Sequence, residues 1–221
     1  MNKNLDTILK LFARQYGHAR TELRHADPFQ LLVATILSAQ CTDERVNKVT
    51  PGLFKKYPGV KDFARLKQET LEAEIRSTGF FRNKAKNIIG ASQKIIKDFN
   101  GKVPDTMEEL LTLPGVARKT ANVVLGNSFG KTEGIVVDTH VLRLSQRIGL
   151  SKNKTAEKVE QDLMKTIPKK NWIDISHQLI LHGRRVCNAR KPMCDTCVIA
   201  KFCPKVGVIS PQSTQRSQRK K

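Results

Sequence analysis

A chain of 221 residues with 39% hydrophobic content can bury the core of one large domain or two small ones. Its 40 Lys and Arg against 20 Asp and Glu leave a formal net charge of +20, which points to a polyanionic partner. Nucleic acid fits this better than a membrane surface, since no basic amphipathic anchor helix is visible, and a membrane span is excluded because the longest apolar run, Phe29 to Leu37 around Gln30, falls short of the roughly 20 residues required.

In chain order the pattern is helical. Leu5, Ile8, Leu9 and Phe12 share one helical face. Asp27-Pro28 reads as N-cap and first helical residue of an apolar helix, Phe29 to Ala39, that is central in a core because nearly every side is apolar. Further helices are predicted at 43–56, 69–77, 83–98, 106–112, 118–126, 138–148, 155–166 and 172–182. Gly79, Gly101, Gly115, Gly130 and Gly149 punctuate them. The period-2 stretch Gly134 to Val137 is too brief to build a sheet, so the fold class is all-α. Residues 208–221 form a basic tail, Ser/Gln/Arg/Lys-rich from Ser210 to Lys221, expected to be disordered. Met1 to Leu11 lacks a secretory signal, so the expected location is the cytoplasm, at the nucleoid if the source is bacterial.

Three strings carry chemistry. In Leu111-Thr112-Leu113-Pro114-Gly115-Val116-Ala117-Arg118-Lys119-Thr120-Ala121, one helix stops at Pro114-Gly115 and another starts two residues later. Such a turn aims backbone N–H groups and a helix N-terminus at one spot and suits a DNA phosphate; a corner between helices with no ligand would look the same. Lys119 falls in the first turn of the second helix. The helix dipole there disfavours a cation and favours the neutral amine that Schiff-base chemistry requires, although a lysine that only touches phosphate would suit the place too. In Gly134-Ile135-Val136-Val137-Asp138-Thr139-His140-Val141 an apolar run delivers Asp138 to a helix start, as a reactive carboxylate or a plain N-cap.

The third string is Cys187-x6-Cys194-x2-Cys197-x5-Cys203, four of the five cysteines within 17 residues. In a reducing compartment such density implies a soft metal site rather than disulfides. Structural zinc usually shows two C-x2-C pairs and only Cys194/Cys197 form one, so the spacing favours an iron–sulfur cluster while leaving zinc open. Cys41 stands apart as a buried free thiol.

Over about residues 5 to 205 these strings resemble the endonuclease III family, bifunctional glycosylases and abasic-site lyases of the helix-hairpin-helix superfamily. Leu37-Ser38-Ala39-Gln40-Cys41-Thr42-Asp43 and Gly79-Phe80-Phe81-Arg82-Asn83-Lys84-Ala85 resemble family segments as well. The resemblance implies two helical domains: 22–132, a six-helix domain with the hairpin, and 1–21 with 133–207, an iron–sulfur domain. It implies a DNA cleft between them with Lys119 and Asp138 as catalytic residues, and a [4Fe–4S] cluster on Cys187, Cys194, Cys197 and Cys203. DNA contacts would fall on Gln40, Phe80, Gly115, Val116, Ala117, Arg118, Thr120 and His140, with Gln40 and Phe80 filling the gap left by an everted nucleotide. Residue by residue, Phe80 would serve equally in a core, Gln40 as a helix-end cap and His140 as a packed histidine.

The family pattern at the hairpin is Leu-Pro-Gly-Val-Gly, and Ala117 replaces its second glycine, at about 1 kcal/mol if that position needs positive φ. The implied partner is duplex DNA with damaged bases or abasic sites, bound by a monomer without membrane involvement, and the implied reaction is release of oxidised pyrimidines followed by β-elimination. Rival readings are a monofunctional adenine-mismatch glycosylase, whose family usually lacks a lysine at position 119 and carries an extra C-terminal domain, and a non-enzymatic hairpin module.

Overall fold

The computed structural model describes residues 3–208, and among them every regular element is helical, as the sequence predicts. The expected disorder of the tail concerns residues 209–221, which lie outside the described residues. No described helix is long and apolar enough to cross a membrane. The chain divides into two compact units: Arg20–Glu133, and the segments before and after it.

In the unit Arg20–Glu133 the helices are α2 (Pro28–Leu37), α3 (Asp43–Lys56), α4 (Val60–Arg65), α5 (Gln68–Ile75), α6 (Phe81–Phe99), α7 (Met107–Leu111) and α8 (Arg118–Ser128). Asp27 starts α2 by accepting the Gln30 N–H at 2.8 Å, with Pro28 at the first position. Eight of its ten residues are buried, against α3, α6 and α8. Each large apolar side chain there contributes about 1.5–3 kcal/mol by burial, so Leu32→Ala would cost roughly 2–5 kcal/mol. The helix expected to start at 83 starts at Phe81. The one expected over 69–77 ends at Ile75, followed by a 3-10 turn, Arg76–Thr78. The six-residue α4 escapes periodicity altogether. Its signal is a Gly59 N–H donated to Asp62 Oδ2 at 2.9 Å and the fully buried Phe63, whose ring meets those of Phe29, Phe54 and Tyr57.

The other unit holds α1 (Leu5–Tyr16), α9 (Thr139–Ile148), α10 (Ala156–Thr166), α11 (Trp172–Arg185) and the cysteine loop beyond. The α1 face expected from Leu5, Ile8, Leu9 and Phe12 joins a core with Val141, Leu144, Leu163 and Leu179. α1 docks on α11, where Phe12 and His182 rings lie 5.0 Å apart and Tyr16 meets His182 Nδ1 at 2.7 Å. The extended run Gly134 to Val137 is buried and satisfies the Val136 N–H on Ser176 Oγ at 3.0 Å rather than in a sheet. α9 and α11 approach closely at Gly183, where a Cβ would sit 2.9 Å from both Cβ and Nδ1 of His140.

Candidate active site and nucleic-acid interface

In the unit Arg20–Glu133, the hairpin forms because α7 ends at Leu111 and Leu113 is buried, so the chain reverses at Pro114-Gly115. Gly115 has φ +75°, and a Cβ on it would fall 2.7 Å from Asn87 Cβ on α6. Only glycine fits this turn on either count. Val116 is buried and its N–H returns to Leu113 O at 3.1 Å. Ala117 is the N-cap of α8 at φ −94°, ψ 169°, extended backbone that alanine adopts without strain, so the second family glycine is dispensable here.

Ala117 supplies no side-chain cap. Lys119 and Thr120 sit in the first turn, where an α-helix has no internal acceptors for its N–H groups, and such a turn suits an anion. Lys119 is exposed on that turn, Thr120 is half-buried, and Arg118 donates to Glu133 O at 3.1 Å.

Gln40 and Phe80 both carry positive φ, +52° and +48°. Such conformations cost about 1–3 kcal/mol in a non-glycine residue and persist only where the surroundings impose them. Phe80 is 63% exposed, so it is no core residue. Gln40 is exposed one loop away. The fold brings Gln40, Phe80, Gly115 and Thr120 onto one cavity of about 180 Å³, together with Asn87 and Lys84.

In the other unit, Asp138 is the N-cap of α9, and its Oδ1 accepts the N–H groups of both His140 and Val141 at 2.8 Å. The cap uses one carboxylate oxygen and fixes the direction of the other. His140 is half-buried with Nδ1 3.2 Å from Arg143 Nη2, and burial lowers its pKa against the opposing pull of Asp138.

All four clustered cysteines line one pocket with Arg147 and His182. Arg147 is buried, donates to Cys187 Sγ at 3.4 Å, and holds the loop through Asn188 O and Ala189 O, both at 2.7 Å. Arg143 donates to Cys187 O and Gly183 O at 3.0 Å. Burial pushes His182 down to about 4. The neutral tautomer that satisfies both neighbours accepts from Tyr16 Oη at Nδ1 and donates from Nε2 to Cys197 Sγ, 3.4 Å away. Burial also raises the Cys197 and Cys203 thiols, and the neighbouring sulfurs add to it. No three His, Cys, Asp or Glu side chains among the described residues are grouped as ligands of one ion. Sequence reasoning missed Arg143, Arg147, His182 and Tyr16. The one local signal was a pair of arginines four apart on a helix whose other inward positions, Val141, Leu144 and Ile148, are apolar.

A model of HhH-GPD superfamily base excision DNA repair proteins matches residues 33–169. The chain is 58% identical to the endonuclease III of Synechocystis over 197 residues, 89% of this chain and 90% of that protein. The chain belongs to the endonuclease III family. It is 45% identical to the Bacillus subtilis endonuclease III over 91% of this chain and 92% of that one. Among solved structures, a trapped endonuclease III–DNA covalent intermediate superposes with a TM-score of 0.87 at 44% identity, covering 93% of this chain and 96% of that one. As a member of the endonuclease III family the chain is a base-excision repair DNA glycosylase with abasic-site lyase activity.

Proposed function

We propose that this endonuclease III family member releases oxidised pyrimidines from duplex DNA and nicks the resulting abasic site through an imine on Lys119. The observation that carries this is an exposed lysine on the first turn of α8, a helix N-terminus whose N-cap Ala117 offers no side-chain acceptor and which can hold the backbone phosphate. A 44% identical endonuclease III trapped as a covalent intermediate with DNA supports it.

The neutral Lys119 amine adds to C1′ as the C1′–N bond breaks, and the base departs with a proton. The nitrogen lone pair then expels O4′, which takes a proton from water, and the imine that forms keeps its N–H proton and its positive charge. A proton then leaves C2′, and the C3′–O3′ bond breaks by β-elimination. Asp138 supplies the carboxylate that stabilises positive charge on the sugar and takes the amine proton. The phosphate contacts belong to Gly115, Val116, Ala117, Arg118 and Thr120, and His140 contacts DNA beside Asp138. Gln40 and Phe80 enter the stack, where an aromatic wedge and a polar side chain replace the everted nucleotide.

Cys187, Cys194, Cys197 and Cys203 would hold a [4Fe–4S] cluster. The donor set fits: four thiols line one pocket, with the Arg147 guanidinium and His182 at two of the sulfurs. A cubane takes one thiolate per iron, so its ligands need not crowd as those of a single ion do. Bound there, it would tie the loop carrying Arg190, Lys191, Lys201 and Lys205 to α9 and α11.

The test is borohydride trapping on a lesion duplex. Wild-type protein should give a covalent adduct, and Lys119→Gln should bind DNA but neither trap nor nick. A Lys119→Gln protein that still traps would show that another amine reacts.

A further inference from the structure

Lys84 is among the few buried charged residues, 4% exposed, and neither binding nor chemistry as described above uses it. Its ammonium donates to Leu37 O and to Thr78 O, each at 2.8 Å. Leu37 is the last residue of α2, and Thr78 the last of the 3-10 turn before α6. Both acceptors therefore lie at helical C-termini, where carbonyls lack internal partners and the dipole favours a cation. Three residues after Leu37 comes Gln40, and two after Thr78 comes Phe80, the two left-handed residues other than glycine on the cavity that Lys84 also lines. The Lys84 backbone N–H meanwhile donates to Phe80 O at 3.1 Å. Burial lowers the pKa of the amine, a desolvation penalty that a methionine of similar length would not carry.

We propose that Lys84 is a positioning residue whose ammonium ties the Leu37 and Thr78 carbonyls together, so that the Gln40 and Phe80 loops enter DNA in one fixed relative geometry. This rests on the reading of Gln40 and Phe80 as inserting residues. Extruding a paired base needs both loops to arrive in register, because the inserted side chains offset the lost stacking. An abasic site has no base to unstack and depends on them less.

The experiment compares single-turnover rates on a duplex carrying one thymine glycol with rates on the same duplex carrying an abasic site instead. Lys84→Met should lower the ratio of the first rate to the second roughly 10- to 100-fold, the scale of a misplaced contact, in protein that circular dichroism shows to be folded at the assay temperature. Lys84→Arg, which keeps charge and donors, should restore most of the ratio. Phe80→Ala should lower it too, and Lys84→Met should add little in that background. A wild-type ratio in Lys84→Met beside a lowered one in Phe80→Ala would overturn the role of Lys84 alone. A wild-type ratio in Phe80→Ala would remove the insertion reading and the proposal with it. Should Lys84→Met fail to fold, Lys84→Gln, too short to span both carbonyls, is read by the same ratio, and an unchanged value overturns the proposal.

Discussion

Gly115→Ala tests whether the hairpin is as tightly determined as its geometry indicates. Two independent penalties meet at this residue. Holding an L-residue at φ +75° costs about 1–2 kcal/mol. The new methyl would also lie 2.7 Å from Asn87 Cβ and 2.9 Å from its Cγ, on the long helix α6 rather than on a flexible chain end. Overpacking of that kind costs roughly 1–3 kcal/mol. The sum, about 2–5 kcal/mol, would lower the unfolding midpoint by roughly 5–15 °C in a chain of this size. Gly130→Ala is the control, because Gly130 has φ +65° and nothing within 4 Å of its missing Cβ. It carries the backbone penalty alone. Differential scanning calorimetry of both variants isolates the contact with Asn87 as their difference. DNA affinity should fall in Gly115→Ala and not in Gly130→Ala, since only the former shifts the first turn of α8. Equal midpoints for the two variants would refute the claim that α6 and the hairpin are pressed together.

Other outcomes follow from the same geometry. Asp138→Asn should slow base release roughly 10²–10⁴-fold in single-turnover assays while α9 stays capped, because asparagine caps as well as aspartate; Asp138→Ala should cost about 1 kcal/mol more in stability, read by urea unfolding. Gly183→Ala should destabilise by roughly 1–3 kcal/mol, since the methyl meets His140 Cβ at 2.9 Å, and an unchanged denaturation midpoint would contradict the close approach of α9 and α11. Purified protein should carry about four irons per chain, and elemental analysis finding one zinc would exclude the cubane. With a net charge of +20, log K for duplex DNA should fall against log salt with a slope of about −0.9 per phosphate contact, and a flat plot would contradict phosphate-driven binding.

What was legible in the sequence was local. Asp27-Pro28, Pro114-Gly115 and Asp138 mark turns and caps through interactions spanning three or four residues, and the structure has a helix start or reversal at each. The density of cysteines is visible for the same reason. Lys84 could not be read this way, because its acceptors lie 47 residues before it and, around a left-handed turn, six before it. Arg147 likewise looks like one more surface cation until α9 is folded against residues 187–189, forty positions later. The left-handed conformation of Phe80 had no local signal either. A phenylalanine after glycine suggests packing, and only the exposure of its ring shows otherwise.

The docking of α1 on α11 has a consequence for the order of synthesis. The unit Arg20–Glu133 is continuous in the chain, so a ribosome delivers all of its residues before most of the other unit exists. The other unit closes late: Tyr16 waits for His182, 166 residues downstream, and His18 for Asp174, 156 downstream. The four cysteines come later still. On the nascent chain the hairpin can therefore be complete while Ile8, Leu9 and Phe12 still expose an apolar face and the thiols have yet to be made. Any metal these cysteines take can be loaded only after the whole lysine-bearing unit has been synthesised.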